Sequence, residues 1–276
     1  MGKGPGLFSD IGKKAQDLLT KDYNYEQKFT VSTYSGDGLG FTSTGVNRGG
    51  FFSGDINTQY KYQNSTIDVK VDTNSNISTK ITVDEIIPRT RTVLSFKFPD
   101  EKSGKLDMQY LHEHAGFSSS IGLTPKTVMD FSGAIGSEVF TVGGEVGYDT
   151  ASGLFTKYNA GIGIAKPEFS VAVILADKGD TLKASYLHVV NPLANTSVAA
   201  EISRRFSENK NTFTVGSSYA LDPITTVKTR LNNHGKLGAL LQHQFMPKSV
   251  LSLSGEFDTK ALDKSPKIGL ALALKP

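Results

Sequence analysis

Between residues 55 and 84 the chain alternates. Ile56, Thr58, Tyr60 and Tyr62, then Ile67, Val69 and Val71, then Ile77, Ile81 and Val83 form one stripe. Asp55, Asn57, Gln59, Lys61, Asp68, Lys70, Asp72, Ser78, Lys80, Thr82 and Asp84 stand between them. A period of two over about nine residues, broken by a turn and resumed, marks a strand whose two faces meet different media. The rhythm recurs almost to the last residue, so it constrains the whole chain rather than one element.

About nineteen such segments can be placed, the first at 26–34 and the last at 267–274. Each is roughly ten residues, the length that crosses a bilayer when tilted by about 45°. Soluble sandwiches use fewer and shorter strands. The connections are short and rich in turn formers: Asn47-Arg48-Gly49-Gly50, Gln63-Asn64, Thr73-Asn74-Ser75-Asn76 and Pro99 to Gly104. Such connections make hairpins, so neighbouring strands are expected to run antiparallel.

Composition agrees with a membrane barrel. Only 38% of the residues are hydrophobic and 28 are glycine, and no run approaches 18 consecutive apolar residues. That excludes a membrane-spanning helix but not a barrel, because only one strand residue in two faces lipid. The N-terminus lacks the apolar core of a secretory signal, which argues against bacterial-style export. Absence of cysteine rules out disulfides and thiolate metal sites. The single strand rhythm predicts one domain over 1–276, with a 1–24 N-terminal segment followed by a 25–276 barrel.

Ser9 to Asp22 breaks the rhythm. Ile11, Ala15 and Leu18 recur at helical spacing, with Lys13, Lys14, Gln16, Asp17 and Lys21 elsewhere on the wheel. Ser9 or Asp10 is the expected N-cap, and the glycine-rich leader before it is expected to be mobile. A helix of about 14 residues is unstable alone in water, so it must dock through Ile11, Ala15 and Leu18, on the membrane surface or inside the barrel.

The run Tyr219 to Asn233 (YALDPITTVKTRLNN), followed by Gly238, Ala239, Leu240 and Leu241, resembles the signature of the eukaryotic mitochondrial porins, the voltage-dependent anion channels. Ser9 to Tyr23 is similar to that family's helix and Gly38 to Gly45 to its second strand, and the residue style suggests a plant member. The last strand, Lys267 to Leu274, resembles a mitochondrial barrel-insertion signal. The resemblance implies an all-β membrane protein: a 19-stranded transmembrane β-barrel closed by parallel first and last strands, with a short amphipathic helix in the lumen. It implies a non-enzymatic, voltage-gated, weakly anion-selective channel of the mitochondrial outer membrane that passes small ions, metabolites and adenine nucleotides. It also implies membrane lipids as surroundings, homo-oligomers, docking of a cytosolic kinase, and no cofactor. Two departures stand out. Asp22-Tyr23-Asn24-Tyr25 replaces the glycine hinge of animal members, and Val69 stands where some of them carry a lipid-facing glutamate.

If the face opposite the apolar stripe lines the lumen, its cations are Lys28, Lys61, Lys70, Lys80, Lys97, Lys105, Lys157, Lys183, Lys228, Arg230, Lys236 and Lys267. Its anions are Asp55, Asp68, Asp72, Asp84, Asp107, Glu145, Glu201 and Glu256, so cations are in excess. The helix adds Lys13, Lys14 and Lys21 against Asp17, and Lys13 and Lys21 are the expected phosphate contacts by resemblance of the helix. Tyr25, Phe98, Tyr148 and Tyr219 are expected in interfacial girdles. His112-Glu113-His114 offers too few ligands for a metal site. The competing reading is a soluble or peripheral β protein with buried apolar stripes and an apolar ligand; neither reading involves nucleic acid.

Overall fold

In hydrocarbon a strand amide finds no hydrogen-bond partner except another strand, so alternating segments must pair all the way round. The computed structural model describes residues 4–100, 102–124, 127–192, 195–261 and 265–275. Its strands are β1 (Gln27–Tyr34), β2 (Leu39–Arg48), β3 (Phe51–Tyr62), β4 (Ser65–Asp72), β5 (Ile77–Asp84) and β6 (Thr90–Phe98). There follow β7 (Lys105–Leu111), β8 (Ala115–Gly122), β9 (Val128–Gly136), β10 (Phe140–Asp149), β11 (Leu154–Ala165), β12 (Phe169–Ala176) and β13 (Thr181–Asn191). The last six are β14 (Thr196–Arg205), β15 (Lys210–Asp222), β16 (Thr225–Asn232), β17 (Lys236–Met246), β18 (Ser249–Asp258) and β19 (Lys267–Leu274).

These nineteen strands form one sheet in which each strand pairs with its sequence neighbours and β1 also pairs with β19. An odd count forces that last pairing to be parallel, and it is, from Gln27 opposite Leu270 to Val31 opposite Leu274. At about 4.8 Å between strands and a tilt of about 40°, nineteen strands close a cylinder roughly 35 to 40 Å across, too wide for side chains to fill.

Register carries the alternation around the wall. Asn57 lies opposite Lys70, Lys70 opposite Ser78 and Ser78 opposite Lys97, all on one face. Ile56, Val71, Ile77 and Phe98 occupy the other. Among the described residues nothing covers the apolar face: Ile56 is 58% exposed, Phe117 50% and Ile202 52%. A soluble fold with buried stripes is therefore set aside, because a core would cover these residues.

The N-terminal segment lies against the polar face, which is thus the inside. It departs from the expected single helix over Ser9 to Asp22: a 3-10 turn at Phe8–Asp10 precedes α1 (Lys13–Thr20). Neither Ser9 nor Asp10 caps α1. The N-cap is Gly12 at φ 76°, a left-handed conformation that costs glycine nothing and breaks the helical path. Asp10 instead accepts the Leu7 backbone N–H at 3.0 Å, spending its carboxylate on the 3-10 turn. The leader is likewise seated: the Thr141 hydroxyl donates to the Pro5 carbonyl at 3.3 Å. Met1 to Lys3 lie outside the described residues.

The closing seam gives a direct test. Thr30 and Ala273 are register partners across β1 and β19 on the inner face. With no native cysteine to compete, Thr30→Cys with Ala273→Cys should cross-link under mild oxidant, since adjacent strands lie about 4.8 Å apart, within disulfide reach. Thr30→Cys with Ile268→Cys, out of register and on opposite faces, should not. Mass spectrometry of the oxidised protein distinguishes the two.

Candidate pore wall and helix seat

Two apolar clusters hold the N-terminal segment to the inner wall. Phe8 and Ile11 pack with Ala134 and Ala172, and against Ile174. Ala15, Leu18 and Leu19 pack with Leu187 and Ala199, and against Val189. All five side chains of the segment are buried. Under the segment the inner wall is lined by small and apolar side chains, Ala134, Ala172, Leu187 and Ala199.

Glycines carve the seat. A Cβ on Gly216 would sit 2.7 Å from Leu19, one on Gly143 would sit 3.0 Å from Phe8, and one on Gly163 would sit 3.3 Å from Ile11. Together with Ala134, Ala172 and Ala199 these positions form a shallow trough across β9 to β15. Burial of five apolar side chains supplies what a short helix cannot find in water.

The C-terminal end of α1 is pinned by Arg230 on β16. Its Nη1 donates to the Leu19 carbonyl at 2.9 Å, and its Nη2 donates to the Tyr25 hydroxyl at 2.7 Å and to the Glu256 carboxylate at 3.1 Å. Tyr25 donates to the same Glu256 oxygen at 3.0 Å. The guanidinium also lies over the Tyr23 ring, 4.4 Å from its centroid, a cation–π contact. Burial pushes the Tyr23 hydroxyl up to about 12, so the ring stays neutral. One side chain thereby ties the last helical turn, the linker and β18 together, and a cation beside helix C-terminal carbonyls also suits the helix dipole.

Tyr25 consequently stands inside the lumen and not in an interfacial girdle, because Arg230 and Glu256 give its hydroxyl two partners there. Phe98 and Tyr219 do stand on the outer face, 64% and 50% exposed, and Tyr148 packs edge-on against Phe155 at 5.5 Å. The linker does without glycine. Asp22 itself takes a φ of 73°, and Lys228 fixes it through an ion pair of 3.3 Å. Asn24 follows, its carbonyl accepting the Ser254 hydroxyl.

Every lysine and arginine expected on the inner wall has the inward register parity, but they fall into two groups. Lys70 pairs with Asp55 at 3.0 Å, Lys105 with Asp107 at 3.0 Å, and Lys157 with Asp130 and Glu145 at 3.4 and 3.3 Å. Lys228, Arg230 and Lys267 pair with Asp22, Glu256 and Glu256 at 3.3, 3.1 and 3.8 Å. Among the described residues no ion pair engages Lys28, Lys61, Lys80, Lys97, Lys183 or Lys236. On the helix Lys13, Lys14 and Lys21 are exposed while Asp17 is half-buried, and Lys13 meets Asp10 at 3.3 Å. Sequence reasoning missed Phe8, although it extends the spacing of Ile11, Ala15 and Leu18 by one step, and it missed the joint action of Tyr23, Tyr25 and Glu256 on Arg230.

The closed 19-stranded wall thus holds a seated helix on its inner face. The family described as eukaryotic porin matches residues 4–269. This chain is a eukaryotic porin. A rice protein named mitochondrial outer membrane protein porin 5 is 57% identical over 99% of both chains. An Arabidopsis thaliana protein named mitochondrial outer membrane protein porin 2 is 53% identical over the full length of both. A pea relative, also 53% identical over both full lengths, is named outer plastidial membrane protein porin. Among solved structures a mutant Rh. blastica porin shares the fold, with a TM-score of 0.50 over 88% of this chain and 94% of that one at 9% identity. The expected family and barrel hold, the location is the mitochondrial outer membrane, and the porin is a pore-forming channel embedded in lipid that passes small solutes.

The Arg230 pin predicts a measurable change. Arg230→Ala removes the hydrogen bonds to Leu19 at the helix end, to Tyr25 in the linker and to Glu256 on β18, and should speed amide exchange across residues 13–20 by about tenfold or more, equivalent to about 1.4 kcal/mol, read by mass spectrometry of the detergent-solubilised porin. Lys267→Ala, at the edge of the same cluster, should leave that exchange nearly unchanged.

Proposed function

We propose that this porin is a weakly anion-selective, voltage-responsive diffusion channel for small ions and phosphorylated metabolites, adenine nucleotides included. The observation that carries the selectivity is the uneven use of charge on the inner wall. Of the expected inner cations, Lys28, Lys61, Lys80, Lys97, Lys183 and Lys236 have no ion-pair partner among the described residues. Of the expected inner anions, Asp55, Asp84, Asp107, Glu145 and Glu256 are engaged in pairs, which leaves Asp68, Asp72 and Glu201. Lys14 and Lys21, exposed on the helix, add to the positive side.

The bias is modest for a physical reason. At physiological ionic strength the Debye length is about 8 Å, less than half the width of a lumen built on nineteen strands, so fixed charge tilts the ion ratio without excluding either sign. The helix narrows the water path by about its own thickness, roughly 10 Å, and leaves room for a solvated nucleotide. Lys13, Lys14, Lys21, Lys61, Lys80 and Lys97 are the side chains assigned to touch anions in transit.

Voltage response follows from charge on movable parts. One elementary charge carried across 100 mV is worth about 2.3 kcal/mol, so displacing a few charges of the helix or of the wall beside it shifts the conducting population. The Arg230 pin and the seated Phe8 oppose a freely swinging helix, which favours small displacements over wholesale release. Self-association and docking of a cytosolic kinase come with the family reading; the outer face, apolar all the way round, supplies the surface for the first.

In a tenfold KCl gradient ideal selectivity gives about 59 mV, and the reversal potential should carry the anion sign at roughly a fifth of that. Replacing Lys61, Lys80 and Lys97 together by Glu should bring it to zero or to the cation sign. A cation-signed wild-type channel in a planar bilayer defeats the reading.

A further inference from the structure

The inner cations are unevenly spread along the barrel axis. Odd-numbered strands begin at the mouth where β1 begins and even-numbered strands end there. Lys105, Lys183, Lys210, Lys236 and Lys267 all fall within the first three residues of their strands, and Arg205 closes β14. At the opposite mouth the inner wall has Lys61 near the end of β3 and Arg91 near the start of β6, and Arg91 is held by Asp84 at 2.6 Å.

Three of these cations converge. Thr181 on β13 lies opposite Arg205 on β14, and Arg205 lies opposite Lys210 on β15. One row further in, Lys183 lies opposite Ser203 and Ser203 opposite Thr212. All six side chains face inward and line a cavity of about 310 Å³. Its acids are Asp177, which accepts the Thr181 hydroxyl at 2.7 Å, and Glu208, which is paired with Arg205 at 2.8 Å. Lys183 and Lys210 have no ion-pair partner among the described residues. The neighbouring polar cavity, about 240 Å³ beside the end of α1, differs: it is lined by Arg230 and Lys236 against Glu201 and Glu256, and Arg230 is fully engaged by the helix pin.

We propose that Lys183, Arg205 and Lys210, with the Ser203 and Thr212 hydroxyls, form a resting station for polyphosphate esters at the mouth where β1 begins. The inference rests on the anion-channel reading and gives it a place and a direction. Two free ammonium groups, a guanidinium and two hydroxyls on three adjacent strands match an anion that carries several charges and many acceptor oxygens. A single chloride has no use for that many donors. The station concentrates phosphorylated metabolites at one mouth only, so the two ends of the channel are chemically unequal.

The probe is inorganic tripolyphosphate, which carries the charge of a nucleotide tail without a base, added to one side of a planar bilayer that holds a single channel. Orientation is assigned with Ser152→Cys, in the β10–β11 turn at the same mouth, modified by a membrane-impermeant thiol reagent. Tripolyphosphate is expected to reduce current at lower concentration from the β1-start side than from the other. Lys183→Gln with Lys210→Gln should raise the half-blocking concentration about 5- to 10-fold, in line with the worth of two exposed charge contacts. Lys166→Gln with Lys248→Gln, in turns at the far mouth, should change it by less than about 2-fold, since screening confines their influence to about 8 Å. Equal block from both sides, or unchanged block in the Lys183/Lys210 variant, overturns the station while an anion-signed reversal potential keeps the channel reading. A cation-signed potential removes both.

Discussion

A strand amide in hydrocarbon has nowhere to turn but to another strand, and the cost of leaving it unpaired is several kcal/mol per group. That one constraint organises this porin. It forces the sheet to close, and with nineteen strands closure requires the parallel β1–β19 seam. Once closed, the period-two alternation acquires an inside and an outside, and the width set by strand number leaves a lumen that side chains cannot fill. The channel is thus the consequence of satisfying backbone hydrogen bonds in a medium that offers none.

The helix is the second consequence. A lumen that wide admits an element, and the wall must be shaped to receive it. The seat is made by subtraction: Gly143, Gly163 and Gly216 leave the space that Phe8, Ile11 and Leu19 occupy. Strand glycine normally weakens a sheet, yet here each absent side chain is replaced by one from the N-terminal segment, so the wall loses little packing. Arg230 then converts apolar seating into a defined register by bonding the Leu19 carbonyl. The pin explains how a linker without a glycine hinge is held, because Asp22 and Tyr25 take their positions from Lys228, Arg230 and Glu256.

Much of this was legible in the chain and some was not, for reasons tied to range. Strand alternation is local, so segments such as 128–136 and 267–274 coincide with β9 and β19. The direction in which Lys70 or Lys80 points follows from the same parity. The helix start is not legible locally, because Ser9 and Asp10 have the chemistry of caps, whereas the break is made by Gly12 in a left-handed conformation. Tyr25 was misplaced because its aromatic ring at a strand edge is indistinguishable from a girdle residue until Arg230, 205 positions away, is brought beside it. Ion pairing is equally non-local. Lys157 and Lys97 read alike in sequence, and only the register that sets Glu145 beside Lys157 separates an engaged cation from one with no ion pair among the described residues.

Passage of solutes through this porin requires that the apolar parity meets acyl chains and the polar parity meets water. Nitroxide labels on single cysteines at Val69, Ile81, Lys70 and Lys80, in the porin reconstituted into lipid vesicles, test that by their collision rates with oxygen and with a water-soluble nickel chelate. Labels at Val69 and Ile81 are expected to favour oxygen, as lipid-exposed sites do, while those at Lys70 and Lys80 favour the chelate. The reverse pattern, or chelate access at all four, would contradict it.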